Sequence, residues 1–435
     1  MISAARCLQF PCRIGWREVL SKQNCVFSQA SQRQQLLHVS SVTYSHQHSL
    51  HSRKPKSLAD LSLSCGHVKQ SWHQHKQSHF GQRHLSSFHT GSPGLDPEAD
   101  LAEVSSMSQL YYRILESVPE GIQMAFAYGS GVYKQAGHNS TKENMLDFVF
   151  VVDDPQAWHS QNIQRNRSHY SFLKVFGSRA VSRVQHLGAG VYFNTLVPFE
   201  DRVIKYGVIS TDRLITDLLD WETLYISGRL HKPIRLLVLP SNHDLIQAMQ
   251  VNLQSAVHAA LLLLPEEFCE EALYTTIAGL SYNGDFRMVV GEDRNKVANI
   301  VRPNIPHFRR LYQPIVDSAV HVHWHHAQGR LEQDPNHITQ FHHLQLLPKT
   351  VLMLLQENRT RPGSHPDLEE VLMIYANSSH CDDTVARVIA HIVWRSSVSQ
   401  SAKTSLTAGA RKSVVYTLKK LRKMWKGKPK REMIV

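Results

Sequence analysis

Gly129, Ser130 and Gly131 follow a short apolar run, Met124 to Tyr128, and a second run from Met145 to Val152 carries a single carboxylate, Asp147. Glycines at a turn let backbone amides approach an anion closely, serine adds a hydroxyl donor, and a helix opening there points free N–H groups at a phosphate. A carboxylate on a neighbouring strand can face the same phosphates and hold a divalent cation such as Mg²⁺ against them. The chemistry served by such a set is transfer at phosphorus. The elements required to position it are a strand, a glycine turn leading into a helix, a loop and a second strand. Taken alone, a Gly-Ser-Gly followed by an aspartate is more often a structural turn with a surface acid, so the flanking segments carry the decision.

Those segments offer cations. Gly188 to Leu196 and Val203 to Ser210 are rich in Val, Ile, Tyr and Phe and read as the next two strands. Lys205 sits between apolar neighbours in the second: beside the glycine turn it would neutralise a triphosphate, and on an edge strand it would only be solvated. Asp212 to Gly228 has helical spacing and ends at glycine, and Arg229, His231, Lys232 and Arg235 follow directly. That cluster either grips phosphate, through Arg229 and Lys232 above all, or forms a solvated basic turn. Among the other acids, Asp154 before Pro155 reads as a helix cap, Asp153 is open, and Glu200 and Asp201 precede the Lys205 strand. The block from Trp158 to Lys174 carries His159, Asn162, Asn166, His169, Tyr170 and Ser171, of which one or two could read a base and its ribose.

Before the first strand, Met107, Leu110, Tyr111, Ile114, Leu115 and Val118 have helical spacing. Beyond position 236 the pattern turns mainly helical: Leu245 to Leu264, then Glu266 to Leu280, then a short Met288 to Val290 strand among charges that include Asp285, Arg287 and Lys296. Asp285 and Arg287 either belong to the site or form a salt bridge within a turn. Alternation would place His321, His323 and His325 on one strand face, a zinc-capable geometry that lacks any adjacent cysteine or carboxylate. Val371 to Trp394 is mainly helical, and Lys412 to Lys426 forms a basic amphipathic helix with Val414, Val415, Leu418, Leu421, Met424 and Trp425 on one face. Such a helix suits an anionic bilayer surface.

The net charge of +12 is unevenly spread. Residues 1–93 hold eleven Lys or Arg and two acids, while the remaining 342 residues hold 37 basic and 34 acidic side chains. A near-neutral body argues against a nucleic-acid partner. The Arg-rich, Ser-rich, acid-poor start reads as a mitochondrial transit peptide. Four of six cysteines lie in that leader, and Cys269 and Cys381 make neither a disulfide framework nor a paired-cysteine zinc site. No apolar run approaches the ~20 residues of a spanning helix; the longest, Ala256 to Leu264, is interrupted by His258. A lipid-directed activity would therefore work from the membrane surface.

An apolar residue, Gly, Gly or Ser, a spacer, then Asp, apolar, Asp or Glu is the pattern of the nucleotidyltransferase fold, which this sequence resembles with a long spacer from Ser130 to Asp147 and Val149 in place of the second carboxylate. More broadly, YGSGVYKQAG, MLDFVFVVDDPQAWH, NRSHYSFLK, GAGVYFN, IKYGVIS, DLLDWETLYISGRLHKP, AGLSYNGDFRMVVGEDRNKV and LTAGARKSVVYTLKKL together resemble the mitochondrial CDP-diacylglycerol synthases, also known as the mitochondrial translocator assembly and maintenance proteins. The resemblance runs from about Ser106 to Trp425. It implies an α+β chain: a leader (1–93), a nucleotidyltransferase catalytic domain (94–235), a mainly helical, winged-helix-like accessory domain (236–345) and a C-terminal helical region ending in the amphipathic helix (346–435). It further implies CTP and phosphatidate in an anionic membrane as substrates, Mg²⁺ on Asp147, Gly129, Ser130 and Gly131 around the triphosphate, and Lys205, Arg229 and Lys232 as its cations. The implied place is the matrix side of the mitochondrial inner membrane, held peripherally, with a homo-oligomer left open. Two rivals stand beside it. One is a noncatalytic scaffold for an inner-membrane translocase, kept alive by Val149; the other is a nucleotidyltransferase acting on RNA.

Overall fold

The computed structural model describes residues 97–136, 144–290, 295–360 and 366–408. The leader, residues 137–143, Glu292, Asp293 and Arg294, and the segment from Lys412 to Lys426 expected to form a basic amphipathic helix lie outside the described residues. The described residues all belong to the unit Gly94–Val435.

Helix α1 (Pro97–Ser117) turns Leu110, Tyr111 and Ile114 inward, as their spacing predicts. Strands β1 (Ile122–Tyr128) and β2 (Leu146–Val152) pair antiparallel. Every residue of β2 except Asp147 is buried, because both faces of the strand are covered. Phe148, Phe150 and Val152 join the core beneath α1, and Val149 and Val151 enter the opposite core with Met124 and Phe126. The chain then forms α2 (Pro155–Arg165), with Asp154 accepting from the amides of Gln156 and Ala157, which is the expected cap. After α3 (Gly177–His186), β3 (Tyr192–Phe199) and β4 (Arg202–Ser210) pair antiparallel, and β4 lies parallel to β2. Helix α4 (Thr211–Asp220), the short α5 (Ser227–Leu230) and β5 (Arg235–Val238) complete a sheet of order β3-β4-β2-β1-β5. Strand β4 is interior, so Lys205 is not an edge-strand lysine.

The second half begins with α6 (His243–Leu263), β6 (Glu267–Cys269) and α7 (Glu270–Gly279), followed by α8 (Phe286–Val290), α9 (Lys296–Val301) and α10 (Ile305–Asp317). Strands β7 (Val322–His325) and β8 (Arg330–Gln333) join β6 in a three-stranded sheet of order β6-β8-β7. Then come α11 (His337–Gln345), α12 (Lys349–Glu357), α13 (Leu368–Ala376) and α14 (Cys381–Ala408). One core runs through this half, and residues on both sides of position 345, such as Leu344, Val351 and Ile389, share it. Helix α14 starts in that core and ends against the large sheet, where Gln400 and Lys403 donate to the carbonyls of Val191 and Gln185. The mixed α+β class is as expected. Among the described residues no helix is long and apolar enough to cross a membrane.

Four local expectations fail. The glycine turn does not open into a helix within 129–136; it closes on itself, with Val132 and Tyr133 both donating to the Gly129 carbonyl. The helix expected from Asp212 to Gly228 stops at Asp220, where Trp221 takes a left-handed conformation at φ 51°. Glu267 to Cys269 pairs as a strand before α7 starts, because β8 offers it a partner. Met288 to Val290 belongs to helix α8 and not to a strand.

Candidate active site

The sheet sets the first three groups side by side. Asp147 on β2 is the register partner of Tyr128 on β1 and of Lys205 on β4, so one row across three strands carries phenol, carboxylate and ammonium. The Lys205 Nζ lies 3.2 Å from Asp147 Oδ1 and 4.5 Å from the centre of the Phe193 ring. Gly129 continues from Tyr128 at φ 83°, a conformation that costs an L side chain about 1–2 kcal/mol. A Cβ there would sit 3.6 Å from Asp147 Oδ2. At Gly131 the constraint is space instead, since a Cβ would come within 2.8 Å of the Met145 carbonyl.

A second wall comes from the segment between α4 and β5. Asp217, buried at the end of α4, accepts hydrogen bonds from the backbone amides of Thr223, Leu224, Ile226 and Ser227 and from the Thr223 and Ser227 hydroxyls. Those amides are drawn out of a continuing helix, which is why the chain breaks at Trp221. The resulting turn presents Tyr225 and Arg229. The Arg229 guanidinium stacks 4.0 Å from the Tyr225 ring and 5.5 Å from that of Tyr128. Lys232 donates to the Gly228 carbonyl and, at 2.8 Å, to Ser281 Oγ, bridging to the helical half.

These groups surround an open-mouthed cleft of about 240 Å³, closed from the helical side by Tyr282, Asp285, Arg287, Lys296 and Ser397 among others. The glycine loop is anchored there: Lys296 donates to Gln135 Oε1, Asn304 to the Lys134 carbonyl, and Ala136 to the Asn299 carbonyl. Five cations, Lys205, Arg229, Lys232, Arg287 and Lys296, face the carboxylates Asp147 and Asp285. Their combined field is visible at Tyr225: burial pushes its hydroxyl up, yet Arg229, Arg287 and Lys205 hold it below the ordinary value. Burial, reinforced by Arg229, pushes the Lys232 ammonium down to about 7. A water-limited, electropositive pocket of this kind is suited to a polyphosphate.

Asp147 Oδ1 is buried without a hydrogen bond, the nearby ammonium being close enough for an ion pair but not aligned as a donor. A hard divalent cation fits such an oxygen. Among the described residues no cluster of three or more His, Cys, Asp or Glu side chains could hold a metal ion. A cation on Asp147 would therefore take its other ligands from water and substrate phosphate, as Mg²⁺ commonly does.

The fold thus brings together Gly129, Ser130, Asp147, Lys205, Arg229 and Lys232. Gly131 supports the loop without lining the cleft. Asp285 and Arg287 do line it, paired with each other through their side chains. The remaining acids fall elsewhere: Glu200 pairs with Arg113, and Asp153 accepts from Thr211 Oγ1 at 2.6 Å. Val149 is fully buried in the sheet core, and no carboxylate from Glu200 or Asp201 replaces it.

The polar block from Trp158 to Lys174 is not in the cleft. His159, Asn162 and Tyr170 form a buried network with Gln185 and Tyr206 behind the sheet, and burial pushes His159 down to about 4. His323 and His325 are exposed on β7, while the His321 ring lies 5.7 Å from that of His342. Tyr128, Tyr225 and Ser397 were not legible as site residues. Only Lys296, within a charged block, carried a signal that pointed toward it.

Residues 111–423 match the family model described as phosphatidate cytidylyltransferase, mitochondrial. The chain is 51% identical over 330 residues to a Danio rerio protein of that name, covering 75% of this chain and 98% of the relative. The Bos taurus protein of the same name is 52% identical over 329 residues, with 75% and 98% covered. Its Caenorhabditis elegans counterpart is 41% identical over 323 residues, with 73% and 99% covered.

Proposed function

The chain belongs to the mitochondrial phosphatidate cytidylyltransferase family, and we infer that its cleft joins CTP to phosphatidate, giving CDP-diacylglycerol and diphosphate. The observation that carries this reading is the row Tyr128, Asp147 and Lys205 beneath the glycine turn, with Arg229 and Lys232 opposite.

In this reading the triphosphate lies along the glycine turn, near Ser130, with Lys205, Arg229 and Lys232 around it. A phosphatidate oxygen attacks the α-phosphorus in line; the new oxygen–phosphorus bond forms as the bond to the bridging oxygen of diphosphate breaks. The attacking phosphate monoester is already ionised near neutral pH, so no side chain need remove a proton. The demand on the protein is charge neutralisation as diphosphate leaves, and the cations of the cleft supply it without reorganising. Mg²⁺ held by Asp147 would supply Lewis-acid stabilisation of the phosphoryl oxygens.

Strand, glycine turn and carboxylate-bearing strand in one sheet support a nucleotidyltransferase fold. The helices carrying the small β6-β8-β7 sheet support a winged-helix-like accessory unit. The acid-poor leader, together with the names of the relatives, supports residence in mitochondria; in this reading the chain works peripherally on the matrix face of the inner membrane, in service of phosphatidylglycerol and cardiolipin synthesis. The buried Val149 favours one other reading, a scaffold for an inner-membrane translocase that has lost catalysis.

The test mixes the purified chain with labelled CTP, Mg²⁺ and phosphatidate-containing vesicles, beside Asp147→Ala. Formation of labelled CDP-diacylglycerol by the first and not the second is the expected result. Absence of product from both, with both folded, would put the scaffold reading first.

A further inference from the structure

From Pro155 to Phe199 the chain contains no aspartate or glutamate, but it carries Arg165, Arg167, Lys174, Arg179 and Arg183. Up to β3 this stretch is the crossover behind the sheet, and it includes a 3₁₀ turn, Phe172–Phe176, running into α3. The turn is amphipathic in an unusual direction. Leu173 packs inward with Tyr170, Val181 and Tyr192, whereas Phe172 is 49% exposed, Val175 71% and Phe176 67%. At the far end of α3, Leu187 is 61% exposed. Between them Arg179 and Arg183, four residues apart on one helix, both face solvent. Like charges at that spacing disfavour a helix unless an anion sits beside them.

Exposed aromatic and aliphatic side chains interleaved with basic ones, without acids, form the surface chemistry that enters an anionic lipid headgroup region. We propose that Phe172, Val175 and Phe176, flanked by Lys174, Arg179 and Arg183, insert this face into an anionic phospholipid bilayer. Charge selects the occupant. Helix α14 is fastened to this side of the molecule, Lys403 donating to the carbonyls of Gln185 and Leu187 at the end of α3. The sequence that follows Ala408 is itself strongly basic. Two basic stretches repel one another, whereas a negatively charged surface complements both. The proposal rests on a lipid-borne substrate, for which a fixed landing face beside the catalytic half would be useful.

The test is vesicle flotation of the full chain, using phosphatidylcholine alone or with phosphatidylglycerol, an anionic lipid that is not the substrate. Each basic residue near an anionic surface contributes about fivefold to partitioning, so Arg179→Glu with Arg183→Glu should weaken binding to phosphatidylglycerol vesicles by roughly twentyfold and leave binding to phosphatidylcholine unchanged. Phe172→Ser with Phe176→Ser should cost roughly tenfold on the same vesicles. All four positions are exposed, and the thermal transition is followed alongside; Arg179→Gln with Arg183→Gln serves if the charge reversal disturbs folding. Flotation equal to wild type in all variants overturns the proposal. So does a wild-type dimer in solution that the Phe variants lose, since a second copy would then own the face. Turnover of a short-chain, water-soluble phosphatidate is measured in parallel. Patch-dependent flotation without turnover would sink the catalytic reading alone, and turnover with patch-independent flotation would sink this one alone.

Discussion

Lys232 is the residue whose protonation is most exposed to circumstance. Its folded value of about 7 lies below the 10.5 of a free lysine, so burying the ammonium costs stability below about pH 7. The unfolded chain binds one more proton than the folded chain between those two values, and stability at this site therefore rises with pH across that window. Lys232→Met should accordingly raise the melting temperature most near pH 6. The same residue should make CTP affinity fall as pH rises above about 7, because only the ammonium neutralises phosphate. Calorimetry in two buffers at about pH 8 should register a proton taken up on CTP binding by the wild type and not by Lys232→Met. A wild-type affinity that is flat from about pH 6 to 9 would contradict that assignment. Gly131 is constrained differently: Gly131→Ala forces a Cβ against the Met145 carbonyl and Leu146, an overpacking worth about 1–3 kcal/mol, read as a lower melting temperature with a raised KM for CTP.

At the scale of elements, the turn between α4 and α5 decides where Arg229 points. Asp217 holds it by accepting from four backbone amides and two hydroxyls, and Asn252 reinforces it by accepting from Trp221 and donating to the Ser227 carbonyl. Asp217→Ala leaves those buried amides without acceptors, at a cost on the order of 3 kcal/mol or more. The expected result is a marked fall in melting temperature with CTP affinity lost in step. A variant that melts like wild type would show that the turn forms without its carboxylate. This element was hidden in the sequence. The apolar spacing from Leu214 to Tyr225 reads as one continuous helix, and nothing local reports that an aspartate at its middle will capture the amides beyond it. The strands were easier: β2 and β4 are runs of Val, Phe, Tyr and Ile that only a covered sheet accommodates.

At the scale of the whole molecule, the cleft lies between a sheet half and a helical half that are tied by the glycine loop, by Lys232 and by α14. A ligand held between two halves stabilises both. CTP with Mg²⁺, at about one hundred times its dissociation constant, should add about 2.7 kcal/mol to the folded state, seen as a raised melting temperature. Chelation by EDTA should remove the part of that gain that depends on Mg²⁺ while leaving the melting temperature of the free chain unchanged, since no described cluster uses a metal structurally. A free chain that melts lower in EDTA would point to a structural ion instead.

What the sequence by itself determined is local. It set the apolar faces of α1 and α6, the cap at Asp154, the strands around Asp147 and Lys205, and the choice of glycine at position 129. Each follows from the side-chain period of a helix or strand, or from the backbone a turn demands, and needs only neighbours a few residues away. Family membership was legible for the same reason, because motifs are contiguous. Only the tertiary structure decided which candidates meet. Asp147 faces Lys205 because β2 and β4 pair parallel in one register, a choice made by burial on both faces of the sheet. Arg229 and Lys232 reach the same cleft because Asp217 bends the chain there, while Glu200 is spent on Arg113 and His159 is sealed behind the sheet. Convergence of that kind depends on packing between residues far apart in the chain, which no local pattern encodes.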